Sequence, residues 1–141
     1  MFKDLDKYSD GGSFSFVEGS ILSIVSKEVP KCNQGIYLVY KEHVNAKRLE
    51  LVYIGKSGTI NQTGDFKTQG LFGRINNKHE GIKRHLFFTK KLQDETIKAL
   101  QVHWYVTVTD DINDLPGYVE GLLLQRYFET NRKLPQWNKC F

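Results

Sequence analysis

Three groups of residues in this chain have the types and spacing for chemistry: a glutamate among leucines, a run of bases, and two strand tyrosines. The glutamate is Glu120, in "GYVEGLLLQRYFETN". On a helical wheel Leu123, Leu124, Tyr127 and Phe128 lie within about a quarter turn of it. The opposite arc holds Gln125, Arg126 and Glu129, with Leu122 the exception. Glu120 therefore sits on the apolar side of its own helix. An ionised carboxylate there is costly unless it is paired, hydrogen-bonded or bound to a cation. Two readings stay open: a buried ion pair that only holds the fold, or a metal ligand or tuned acid–base group at the floor of a cleft.

The bases are Lys67, Arg74, Lys78, Lys83, Arg84, Lys90 and Lys91, interleaved with His79 and His85 and opposed by Glu80 alone. A solvated basic face fits this run; so does a surface that contacts phosphate. The tyrosines are Tyr37 and Tyr53, in "GIYLVY" and "LELVYIG".

The elements that must position these residues follow from pattern. Residues 1 to 13 are polar, end in Asp10-Gly11-Gly12-Ser13, and predict a loosely held loop. Residues 16 to 27 favour a short helix, with a strand as the alternative, and Pro30 ends them. Residues 35 to 40 and 49 to 55 are β-branched and aromatic, and predict two strands of an antiparallel hairpin. Residues 56 to 70 carry three glycines with many hydroxyl and amide side chains, a long loop. A helix is expected from Leu71 to near Gly81, with Phe72, Ile75 and His79 on related faces, and another over 94 to 100. Residues 102 to 108 alternate, with Val102, Trp104, Val106 and Val108 on one face, a third strand. Residues 117 to 131 form the helix of Glu120. The expectation is a small α/β (α+β) protein: a central three-stranded antiparallel sheet flanked by helices.

Composition bounds the function. The 141 residues suit one domain; 40% are apolar and 26% charged, ordinary for a soluble globular chain. A net charge of +4 permits a polyanionic partner without demanding one. No apolar run approaches the length of a bilayer crossing, and the N-terminus lacks the pattern of a secretory signal. Cys32 and Cys140 fit no metal-ligand spacing and read as free thiols in a reducing cytoplasm.

Gly35-Ile36-Tyr37 followed by Tyr53-Ile54-Gly55 resembles the pair of signatures that names the GIY-YIG nucleases. Each tripeptide alone is a weak signal; the order of later residues strengthens it. Lys56, Arg74, His79, Glu120 and Asn138, the last in "LPQWN", stand where the family has its lysine or small polar residue, helix arginine, histidine or tyrosine, glutamate and closing asparagine. The resemblance spans roughly residues 33 to 141 and leaves 1 to 32 as an N-terminal extension of loop and short helix. The loop over 38 to 52 and the gap from Gly55 to Arg74 are longer than the family's usual.

The resemblance implies a GIY-YIG-like fold and a metal-dependent endonuclease that hydrolyses DNA phosphodiesters, of restriction or repair type. One Mg²⁺ or Mn²⁺ per active site would sit on Glu120. Arg74 would donate to the phosphate oxygens. Tyr37, ahead of Tyr53, would take the proton of the attacking water, helped by the charge of Lys56. Tyr53 and His79 would position the water or relay its proton, with His85 the alternative histidine. Asn138 would support the site, and Lys78, Lys83, Arg84 and His85 would contact DNA or support the site. The partner would be double-stranded or branched DNA, with no membrane, and the chain a monomer or homodimer. The competing reading is a nucleic-acid-binding module of the same fold that does not cut.

Overall fold

The computed structural model describes residues 2–45, 47–66 and 69–141. In chain order its elements are a 3₁₀ turn (Lys3–Leu5), β1 (Gly11–Phe16), α1 (Leu22–Val25), β2 (Gly35–His43), β3 (Leu49–Lys56), α2 (Leu71–Ile75), β4 (Lys78–His79), β5 (Ile82–Lys83), α3 (Arg84–Asp94), β6 (Ile97–Val106) and α4 (Pro116–Asn131). The fold is α+β. Four strands form one antiparallel sheet in the order β1-β6-β2-β3, and β4 and β5 form a separate hairpin.

β2 lies inside the sheet, which explains its nearly unbroken apolar run. Alternate side chains feed two cores. Tyr37 and Val39 join Val52, Leu100, Val102, Leu71, Ile75 and Phe88 on one face. Ile36 and Leu38 join Leu51, Ile54, Val119, Leu123 and Leu124 of β3 and α4 on the other. The sheet is thus sandwiched between α1–α3 and α4, and the hairpin and the last helix stand as expected.

Two glycines are set by close approach. A Cβ at Gly35 would lie 1.8 Å from the carbonyl oxygen of Tyr105 on β6. A Cβ at Gly55 would lie 2.5 Å from Cζ of Tyr37, which stands opposite it in the β2–β3 pair. The glycines of both tripeptides are therefore steric necessities of the sheet.

Several expectations are corrected. The sheet has four strands, because Gly11–Phe16 pairs along β6 from Gly11↔Tyr105 to Phe16↔Leu100. The start of the chain is held: Phe2, Leu5 and Tyr8 are buried, and the Tyr8 hydroxyl donates to Asp114 Oδ2 at 2.6 Å. Glycines and serines hid β1, whose partner lies far away in sequence. The helix expected to run to Gly81 stops at Ile75; His79 sits in the β4–β5 hairpin, whose turn residues Glu80 and Gly81 have φ of 52° and 88°. The helix expected over 94–100 is displaced. α3 ends at Asp94, and Ile97 already belongs to β6. The acidic pair there serves another purpose, since Glu95 accepts from the buried Lys41.

β3 is an edge strand, and the C-terminal segment closes its outer side. Trp137 N–H donates to the Val52 carbonyl at 2.8 Å. The Asn138 side chain accepts from Ile54 N–H and donates to the Ile54 carbonyl, both at 2.9 Å. Asn138 thus imitates a neighbouring strand and satisfies backbone groups that an open edge would leave free. Lys41 Nζ also donates to Gln136 Oε1 at 2.8 Å, which pins the same segment.

Phe16 measures how firmly the N-terminal strand belongs to the fold. It is 1% exposed and packs edge-on to Phe88 at 5.5 Å. Phe16→Ala is expected to cost about 3–5 kcal/mol in urea unfolding, the range for emptying a core aromatic site. A loss near zero would return this segment to a loose extension.

Candidate active site

The cleft lies at the β3 edge of the sheet, where residues of both layers meet. Its volume is about 370 Å³, and Tyr53, Arg74, His79, Arg84, Glu120 and Asn138 all line it. Those six residues are spread over β3, α2, β4, α3, α4 and the C-terminal segment. Arg74 also lines a neighbouring cavity of about 210 Å³ with Lys56, Thr59, Gln69 and Asn77. Arg74 therefore borders both spaces.

Glu120 is half-buried on α4. Burial pushes its carboxyl above the ordinary carboxylate range, against the pull of Lys56 and Arg74. Both cations act on it through space; among the described residues none donates a hydrogen bond to it. The reading of Glu120 as one half of a tight buried ion pair is not what the side chains form.

His79 is buried, its ring 4.0 Å from Phe87 and 5.0 Å from Tyr53, centroid to centroid. Burial, aided by the charge of Arg84, pushes its imidazole down to about 4. It is a neutral base at neutral pH. Burial pushes the Tyr53 phenol up, with Tyr37 adding to the effect and Arg84 and Arg74 opposing it. Tyr37 is wholly enclosed beneath Tyr53, ring centroids 5.9 Å apart, and Arg84 donates to its hydroxyl. Of the two tyrosines, Tyr53 faces the cleft and Tyr37 lies under it.

The other expected residues divide. Lys78 lines the cleft. Lys83 is exposed opposite Lys78 in the hairpin and is not among the lining residues. His85 points elsewhere: its Nδ1 accepts from Leu22 N–H at 3.2 Å, and its ring packs on Phe16 at 5.7 Å. It braces α1 against α3, so His79 is the histidine of the cleft. Arg84, expected on a basic surface, is enclosed. Lys67 lies outside the described residues. Trp137, Lys139 and Glu80 line the cleft without having been singled out. Only "LPQWN" pointed towards Trp137; Glu80 enters the sequence reading only as the lone acid of the basic run, and Lys139 carried no signal.

Among the described residues no group of three or more His, Cys, Asp and Glu is gathered. Two carboxylates line the cleft, Glu80 and Glu120; Glu120 is the partly desolvated one, without a hydrogen-bonded partner among the described residues. That set suits Mg²⁺, which keeps most of its waters and takes one or two carboxylates together with substrate phosphate. Cations crowd the same space: Arg74, Lys78, Arg84 and Lys139 line it.

No family model matches the chain, and no curated protein or solved structure matches it significantly. Among the described residues no helix is long and apolar enough to cross a membrane.

Two titrations test this site. Glu120 ionises with difficulty because it is buried, so its charge costs stability above the carboxylate range and nothing once it is protonated. Glu120→Gln should raise the melting temperature at pH 7, and the gain should vanish towards pH 4. A drop at pH 7 would identify Glu120 as a stabilising ion-pair partner. For His79, stability should be lost as pH falls from the ordinary 6.5 towards about 4, where the unfolded chain alone binds the proton. His79→Phe should make that acid slope of the melting temperature shallower; an unchanged slope would show that His79 is not held neutral.

Proposed function

We propose that this protein is a divalent-metal-dependent endonuclease of the GIY-YIG type, acting on DNA phosphodiesters. The observation that carries the reading is the position of Glu120: a half-buried carboxylate without a hydrogen-bonded partner, facing Arg74, His79 and Tyr53 across one cleft. A fold that needed only stability would not leave a carboxylate there, since an apolar residue would fill the place at lower cost. The sheet supports the family likeness, because Gly35 and Gly55 owe their identity to the packing of Tyr105 and Tyr37.

In this reading Arg74 donates to the non-bridging oxygens of the scissile phosphate, whose charge grows as the water oxygen bonds to phosphorus and the bond to the leaving sugar oxygen breaks. Glu120 would hold Mg²⁺ or Mn²⁺, which supplies Lewis-acid stabilisation of the phosphate and the leaving oxygen. His79 and Tyr53 line the cleft and orient the water. Its proton passes to a ring nitrogen of His79, which is neutral at pH 7 and packs on Tyr53, with Tyr37 beneath. Lys56 and Arg74 hold Glu120 towards its charged form. Asn138 keeps the Ile54 backbone, and with it Tyr53, in place. Lys78 and Lys139 border the cleft and meet the flanking phosphates.

The test is nicking of supercoiled plasmid in Mg²⁺, Mn²⁺ or EDTA. Metal-dependent nicking should fall by about 10²–10³-fold in Arg74→Ala, the usual loss for a transition-state donor. Glu120→Ala should fall at least as far. Linear, branched and single-stranded DNA belong in the same series. Binding to any of these without cleavage would replace the reading with a non-cutting DNA-binding module.

A further inference from the structure

Arg84 belongs to a run of bases, yet it is 1% exposed. It is the first residue of α3, directly after the β4–β5 hairpin, and its N–H donates to the Asn77 carbonyl at 2.9 Å. Its guanidinium donates to the Tyr37 hydroxyl and, at 3.4 Å, to the Lys78 carbonyl. The guanidinium carbon lies 5.2 Å from the Tyr37 ring centroid and 5.6 Å from that of Tyr53. Its Nε is buried with no hydrogen-bond partner.

The contrast with Lys41 gives this arrangement its meaning. Lys41 is buried on β2, and it has the carboxylate of Glu95 as a partner. Arg84 takes part in none of the ion pairs among the described residues. A buried cation without a counter-ion works against stability, and replacing it with an apolar side chain of similar volume would relieve the fold. What surrounds Arg84 instead is one hydroxyl, one carbonyl and two phenol faces, at the floor of the candidate cleft. A planar guanidinium can lie against two rings and still direct an N–H at one hydroxyl; a lysine cannot do both.

We propose that Arg84 is a positioning residue for the cleavage reaction. It fixes the Tyr37 hydroxyl beneath Tyr53 and keeps a positive charge against it, so that it acts on the cleft through Tyr37 and the Tyr53 ring packed over it. This rests on the nuclease reading above. Arg74 contacts the phosphate in that reading; Arg84, 1% exposed at the floor of the cleft, is assigned to Tyr37 instead.

The experiment is a double-mutant cycle in single-turnover plasmid nicking, with Arg84→Met and Arg84→Lys placed in the wild type and in Tyr37→Phe. Arg84→Met in the wild type should slow cleavage at saturating enzyme by about 10²-fold, the scale of a lost proton-transfer arrangement. The concentration for half-maximal rate should move by no more than about twofold, since ground-state binding is untouched. Arg84→Lys should recover part of the rate. In the Tyr37→Phe background Arg84→Met should cost nothing further. An equal loss in both backgrounds would overturn the proposal, because Arg84 would then act apart from Tyr37. A rate unchanged in Arg84→Met would do the same. So would loss of cooperative melting in both variants, which would make Arg84 a residue of the fold. A wild type that cuts no DNA removes the nuclease reading and this proposal together. That outcome differs from an active wild type whose Arg84 variants fail the cycle.

Discussion

Tyr37 stands opposite Gly55 in the β2–β3 ladder, and the absent side chain at Gly55 is what gives its ring a place to lie. The rest of the candidate site is built on that contact. With the Tyr37 ring set across the strand, its hydroxyl meets the Arg84 guanidinium, and Tyr53 rests above both. His79 packs on Tyr53, and Phe87 packs on His79. Each ring fixes the next, so the polar atoms at their tips are held by packing rather than by loops.

The cleft combines groups that stability alone would not bring together. Glu120 is half-buried and hard to ionise, His79 is buried and hard to protonate, and Arg84 is buried without a carboxylate. Each runs against the preference of a core for neutral or paired groups. Elsewhere the chain obeys that preference, as Lys41 with Glu95 and Tyr8 with Asp114 show. Such departures concentrated in one concave place are the usual mark of a working site.

The edge of the sheet ties the site to the chain's end. β3 would be an open edge, and the segment from Pro135 to Asn138 closes it through Trp137 and Asn138. The same closure brings Trp137 to the wall of the cleft. A segment that protects an edge from pairing with other chains thus also shapes the space beside Tyr53 and Glu120.

Local pattern was enough for the β2–β3 hairpin, the α4 helix and the inward side of Glu120, because period and burial are local properties of a strand or a helix. Arg74, His79, Lys56 and Asn138 came together as candidates through the resemblance to the GIY-YIG signatures, not through pattern. Local pattern failed where distant partners decide. β1 has little strand propensity in its glycines and serines; it exists because β6 offers a free edge to pair with. The acidic start read at Asp94 belongs to the end of α3, because Glu95 answers Lys41, a residue far back in β2. The hairpin that carries His79 interrupts a helical pattern at a turn that only the folded chain displays. Arg84 and His85 are neighbours in a basic run and indistinguishable by type. Tertiary structure alone sends one under Tyr37 and the other against Phe16 and Leu22, because which side of a helix is enclosed depends on what packs against it.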